Sequence, residues 1–271
     1  MSSRGLEGVM PETIIVRSDG PVVRVQINRP DANNSINTLL VQELHAVLDS
    51  AEKDSTARVF VLEGLPDVFC SGNDFDALAA AGSEQLSDEA DVQKFFDLLI
   101  RLGAGPLISV AVVQGRAQAG GVGIVAACDL ALAAPTASFA LSEMLFGLVP
   151  ACVLPFIGRR IGMRRARHLA LTTLPLNVSQ ALDWGLIDES ADNLDRLLKL
   201  RLSRLSCLDR DAVVRLKNFV GQLEPIGENV RQLAVGTITP LINDPAIREG
   251  IRRFVQEGVY PWQTPTSESR E

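Results

Sequence analysis

The chain opens with two short runs dominated by β-branched and apolar residues, Thr13 to Val16 and Val22 to Ile27, separated by Ser18-Asp19-Gly20-Pro21. Runs of this length around strong turn residues predict a β-hairpin, which Asn28-Arg29-Pro30 then stops. From Asn37 the period changes. Leu40, Val41, Leu44, Val47 and Leu48 recur at helical spacing behind a capping asparagine, and His45 lies beside the stripe, where it reads as a partly buried side chain with no chemical task. Arg58 to Leu62 predicts a strand, followed by the loop Phe69-Cys-Ser-Gly-Asn-Asp74 and a helix start at Asp74. Ala81 to Glu89 is small and polar and reads as a mobile loop. Val92 to Leu102 predicts an amphipathic helix on Phe95, Phe96, Leu99 and Leu102, broken by Gly103-Ala-Gly-Pro106. Leu107 to Val113 is again a strand.

The stretch from Ala119 to Glu143 organises the rest. Between its glycine pair and its carboxyl it carries one charge, Asp129, and many small residues, which suits a helix start packed into a core and continuing into a buried strand. After a turn-rich apolar link to Pro150, the segment from Pro155 carries Arg159, Arg160, Arg164, Arg165 and Arg167. It reads either as the solvated face of one helix or as a dock for an acidic partner. From Asn193 onward the periodicity is helical without strand signal. The unit strand, strand, helix thus recurs through residues 1–192, an α/β core, and 193–271 forms a helical region with more apolar surface than it buries alone, a candidate for oligomerisation.

Composition narrows the function. A chain of 271 residues, 46% hydrophobic and 22% charged, is an ordinary globular protein, and its net charge of −7 argues against a general nucleic-acid binder. Cys70, Cys128, Cys152 and Cys207 are widely spaced, with only His45 and His168 beside them, so neither a zinc site nor a disulfide framework is expected; buried, reduced thiols are. The first residues lack the apolar run of a signal peptide, and no later run has transmembrane length. The expectation is a cytoplasmic protein without a membrane partner.

Two places carry candidate chemistry. Gly120 and Gly121 sit where backbone N–H groups are left free at a helix N-terminus, able to hold a developing negative charge, although such a pair also serves close packing or capping. The loop Ser71-Gly72-Asn73-Asp74 follows a strand and precedes a helix in the same way, giving a second donor. Glu143 supplies a carboxyl from a neighbouring segment.

The motifs Asn28-Arg29-Pro30 with Asn34, Phe69 to Asp74, Gly115 to Gly121, Cys128-Asp129, Phe139-Ala-Leu-Ser-Glu143 with Gly147 and Pro150, and Ala181 to Ile187, in this order, resemble the crotonase (enoyl-CoA hydratase/isomerase) superfamily over nearly the whole chain. The resemblance implies an α/β fold, a spiral of ββα turns followed by a C-terminal helical trimerisation region, assembled as a homotrimer or hexamer. It implies that the N–H groups of Asn73 and Gly120 hold a thioester oxyanion, that Glu143 is the acid/base, and that Ser71, Gly72, Asp74 and Gly121 line the substrate. The first glutamate of a two-glutamate hydratase maps onto Gly123, while Asp74 and Asp129 look structural. The run from Ser142 to Phe156, with Arg159-Arg160-Ile-Gly162, Glu63 to Pro66 and Gly258 to Trp262, is similar to the dehydratases of polyketide β-branching cassettes. That similarity implies 3-hydroxy-3-methylglutaryl-ACP as substrate, 3-methylglutaconyl-ACP as product, an acyl carrier protein as partner and neither metal nor cofactor. A sister decarboxylase, a hydratase or isomerase of free CoA esters and a non-catalytic scaffold remain as alternatives. Arg116 is the candidate for reading the distal carboxylate.

Overall fold

The computed structural model describes residues 11–80 and 88–263. The first ten residues, and all of the expected mobile loop except Asp88 and Glu89, lie outside them. Asp88 itself caps a helix, accepting the Ala90 N–H at 2.9 Å.

The expected hairpin is β1 (Ile14–Asp19) and β2 (Val22–Ile27), antiparallel. α1 (Thr38–Lys53) starts on the Asn37 side chain, which accepts the Leu40 N–H. Three turns of similar build follow. β3 (Val59–Glu63) and β4 (Val68–Cys70) lead to α2 (Phe75–Ala80) and α3 (Glu89–Ala104). β5 (Ile108–Val113) and β6 (Arg116–Gln118) lead to α4 (Gly120–Ala127), and β7 (Leu130–Ala133) and β8 (Ser138–Ala140) lead to a 3-10 turn, Glu143–Phe146, and α5 (Leu154–Ile161). Each turn gives its first strand to one sheet and its second to another. With β9 (Leu176–Asn177) and β10 (Glu189–Ser190), the orders are β1-β2-β3-β5-β7-β10 and β4-β6-β8-β9, and neighbours are parallel except at β1-β2 and β8-β9. Strand bounds differ from the sequence expectation by one to three residues, β1 running on through Ser18 and Asp19 of the expected turn, and the ββα repeat stands.

The arginine-rich segment is a correction. Gly162, at φ 81°, breaks it into α5 and α6 (Met163–Thr172), so the five arginines share no single face. Arg160 turns inward to Asp188, to Leu186 O at 2.7 Å and to Cys128 O at 2.8 Å, and Arg165 reaches Trp184 O. Arg164, Arg165 and Arg167 remain exposed.

After α7 (Val178–Trp184), the helical region begins where Asn193 caps α8 (Leu194–Leu205), and continues as α9 (Arg210–Leu223), α10 (Glu228–Ile242) and α11 (Pro245–Glu257). It shares the chain's cores. Leu194, Leu198 and Val213 close one face of the six-stranded sheet over Val59, Val61, Val110 and Leu132, while Ala234, Ile238 and Ile251 join the larger core. Lys217 on α9 pins this arrangement, since its ammonium lies 2.6 Å from Asp129 and 2.7 Å from Leu107 O. Asp129 also accepts the Ser109 N–H, which completes a structural role. Cys70, Cys128 and Cys152 are buried thiols as expected, but Cys207 is exposed because it lies just past the end of α8, outside both cores. No helix among the described residues is long and apolar enough to cross a membrane, and no metal-binding cluster occurs among them.

Candidate active site

The first glycine loop is held by the chain on both sides. Ile36 donates to Gly72 O at 2.7 Å and its own carbonyl accepts from Asp74 N–H at 3.1 Å, so Asn73 is clamped while its N–H makes no main-chain bond among the described residues. Asn34, fully buried, donates to Ile27 O, Val68 O and Phe69 O and accepts the Arg29 N–H, fixing the end of β4 that leads into the loop. Asp74 spends its carboxyl on Arg29 at 2.8 Å and on the Ala77 N–H at 2.9 Å. Burial works to raise its pKa, and these partners outweigh it, holding the group below the usual carboxylate range.

The second loop leaves β6 at Ala119 and enters α4 at Gly120, whose N–H also makes no main-chain bond among the described residues. Ala119 donates to Ala140 O at 2.8 Å, tying the loop to the strand that runs on to Glu143. The two loops touch. Gly72, at φ 91°, comes so close that a Cβ there would lie 2.7 Å from Ala119 Cβ and 3.7 Å from Gly120 N, so only glycine lets the two free amides share one place. Gly121 is pressed on Cys70 in the same manner and is a packing contact. Ser71 is half-buried beside them.

Glu143 begins the 3-10 turn that Gly147 closes in the left-handed conformation, and its carbonyl accepts Leu148 N–H at 3.1 Å. Glu143 keeps some solvent contact as a residue, but its Oε2 is sealed and meets no hydrogen-bond partner. Burial pushes its pKa up to about 7, opposed in part by the N–H groups of Glu143 and Ser142. Such a group gives and takes protons near neutrality. Cys152 lies close enough for the Glu143 charge to add to the burial that pushes its thiol up to about 12.

Of the residues expected from sequence, the structure sets the loops of Asn73 and Gly120 against each other through Gly72, packs Gly121 on Cys70, and carries Glu143 on the segment just beyond Ala140, whose carbonyl holds Ala119. It does not bring Arg116 there. Arg116 is exposed at the first residue of β6, paired with Val68 and Ser138, while the site lies at the other strand end, where Gln118 pairs with Ala140. Sequence reasoning missed Cys152, Val153 and the packing of Ile36 and Phe95 against Gly120, none of which has a local signal because each comes from a separate segment.

A family model described as enoyl-CoA hydratase/isomerase matches residues 17–265. The chain belongs to that family. It is 40% identical to the bacillaene synthase dehydratase PksH of Bacillus subtilis over 252 residues, 93% of this chain and 97% of that one. It is 24% identical to the mevalonyl-coenzyme A hydratase sidH of Aspergillus fumigatus over 249 residues, 89% and 91% of the two chains. The crystal structure of a polyketide biosynthesis enoyl-CoA hydratase (pksH) from Bacillus subtilis covers 92% of this chain and 99% of its own with a TM-score of 0.87, and Pseudomonas aeruginosa AtuE covers 90% and 97% at 32% identity with a TM-score of 0.73. The chain is therefore a hydratase/dehydratase-type enzyme acting on an acyl thioester, built on the crotonase fold.

Two expectations test this geometry. Ala119 sits at φ 47°, ψ −118°, a region that glycine occupies and other residues enter only under strain. Ala119→Gly should raise stability by about 1 kcal/mol in chemical denaturation, and a loss of stability would show that the methyl's contact with Gly72 outweighs the strain. Glu143 has a folded-state pKa above its unfolded value, so its stabilising contribution is full below about pH 4.5 and is lost as pH rises through about 7. Glu143→Gln should therefore raise the melting temperature at pH 8 far more than at pH 5. An equal change at both would mean that the carboxyl stays ionised throughout.

Proposed function

We propose that this enzyme is the dehydratase of a polyketide β-branching pathway, converting a 3-hydroxy-3-methylglutaryl group on an acyl carrier protein to the 3-methylglutaconyl group. The observation that carries the reading is the Glu143 carboxyl, with its Oε2 sealed and its pKa pushed up, on the segment leaving the strand end that holds the Gly120 loop; the resemblance puts Gly123 where a second carboxyl would stand. The similarity to a protein named as a bacillaene synthase dehydratase supports the polyketide setting.

The thioester oxygen is held by the N–H groups of Asn73 and Gly120. Glu143, as carboxylate, takes the proton from carbon 2, and the C–H electron pair moves into an enolate whose oxyanion the two amides stabilise, on the order of 3 kcal/mol per donor. The same carboxyl then gives that proton to the hydroxyl on carbon 3. As the C–O bond breaks, the enolate electrons form the C2–C3 double bond and water leaves. Proton transfer alone completes the reaction, so it calls for no metal or cofactor of the enzyme's own, and the phosphopantetheine arm belongs to the carrier. Retention of Glu143 favours dehydration over decarboxylation, which needs no proton taken from carbon 2. Exposed Leu216, Phe219, Val220 and Leu223 on α9 and Leu233 on α10 support assembly into a homotrimer or hexamer, since such a run of apolar surface is costly in water. Exposed Arg164, Arg165 and Arg167 on α6 are basic positions from which an acidic carrier could be steered.

Intact-mass measurement on a carrier loaded with 3-hydroxy-3-methylglutaryl thioester should record loss of one water. The rate should rise with pH along a single limb with its midpoint near 7, and fall on the order of 10² to 10⁴ in Glu143→Gln. No loss of water by the wild-type enzyme would overturn the assignment, and a bell-shaped profile would require a second acid.

A further inference from the structure

What stands at the place of the missing glutamate is a side chain from another segment. A Cβ on Gly123 would overlap Val153 Cγ1 and lie 2.7 Å from Val153 Cβ. Gly123 follows Gly120 by one turn of α4 and shares its face of the helix. At Gly120 that face is covered by Ile36 and Phe95, which a Cβ would meet at 2.6 and 3.2 Å. Val153 therefore continues, one turn deeper, the apolar wall that flanks the free Gly120 amide. It is 3% exposed and lies on the segment that leaves the Glu143 turn, next to Cys152, which feels the Glu143 charge.

We propose that Val153 is a specificity-determining residue that receives the alkyl branch on carbon 3 of the substrate, an inference that rests on the dehydratase reading above. An isopropyl group offers dispersion contacts and no hydrogen bond, so it gives no seat to a water or a hydroxyl. The leaving hydroxyl on carbon 3 must face Glu143 to receive its proton. A tertiary alcohol then turns its remaining small substituent, a methyl, away from the carboxyl and onto the wall. A secondary alcohol has only hydrogen there and leaves a void against Val153. In an apolar pocket one such group discriminates by roughly 10- to 200-fold.

The test compares kcat/KM on two carrier-bound thioesters alike except for the methyl on carbon 3, using the full chain and the variants Val153→Ala and Val153→Ile, with thermal melts to establish folding. The wild type should prefer the methyl-bearing substrate by about tenfold or more. Both variants should erode that preference by slowing the branched substrate alone, Val153→Ala by removing the contact and Val153→Ile by filling the methyl's place, and either one that folds decides the matter. Wild-type dehydration of the branched substrate with a preference that neither variant changes would overturn this inference and leave the dehydratase reading standing. A wild type that dehydrates neither substrate would overturn both.

Discussion

Two backbone amides without main-chain partners and one carboxyl oxygen without a hydrogen bond, all among the described residues, keep that state only if the chain around them is held too tightly to collapse onto them. The sealed Glu143 oxygen is costly to leave without a partner, and each of the three would find one if its loop moved. The contact between Gly72 and Ala119–Gly120 is the constraint on which the rest depends. It sets two loops from different turns of the spiral against each other with no side chain between them, so that neither amide can fold back onto its own strand. The parallel register carries the same constraint outward, since Cys70 against Ala117 and Gln118 against Ala140 bring three consecutive strand ends to one place.

Holding the loops takes polar groups that have no part in the chemistry. Asn34 satisfies three carbonyls between β2 and β4, and the Arg29–Asp74 pair fixes the first turn of α2 just beyond Asn73. Ala119 accepts a strained backbone so that its N–H can reach Ala140 O while the next residue's N–H stays free. On the acid side, Phe146 packs edge-on against Phe75 and Phe254, with ring centroids 4.9 and 5.0 Å apart, and so ties the Glu143 turn to the donor loop's helix and to α11. Burial of the carboxyl is what raises its pKa into the working range.

Local chemistry explains how much of this was legible in the sequence. The hairpin, α1 and its Asn37 cap, and the alternation of buried strands with glycine loops follow from periodicity and turn residues, which act over a few positions. The resemblance carried Asn73, Gly120 and Glu143, and it marked Gly123 as a departure. What it could not convey is what fills a departure, because Val153 meets Gly123 from a different turn of the spiral. The same limit applies to Arg116, whose sequence proximity to Gly120 was misleading because a strand separates its two ends in space. Arg159 to Arg167 read as one basic stretch, yet Gly162, at positive φ, divides it between two helices, and Arg160 on the first satisfies carbonyls of the core.

The account stands on Glu143 being a dry carboxyl that exchanges its proton near neutral pH. Infrared difference spectroscopy across a pH titration, with the Glu143→Gln variant as the subtraction, reads that proton directly. The expected result is a protonated-carboxyl band present at pH 5, lost with a midpoint near 7 and absent from the variant. A Glu143 carboxyl already ionised at pH 5 would contradict the account.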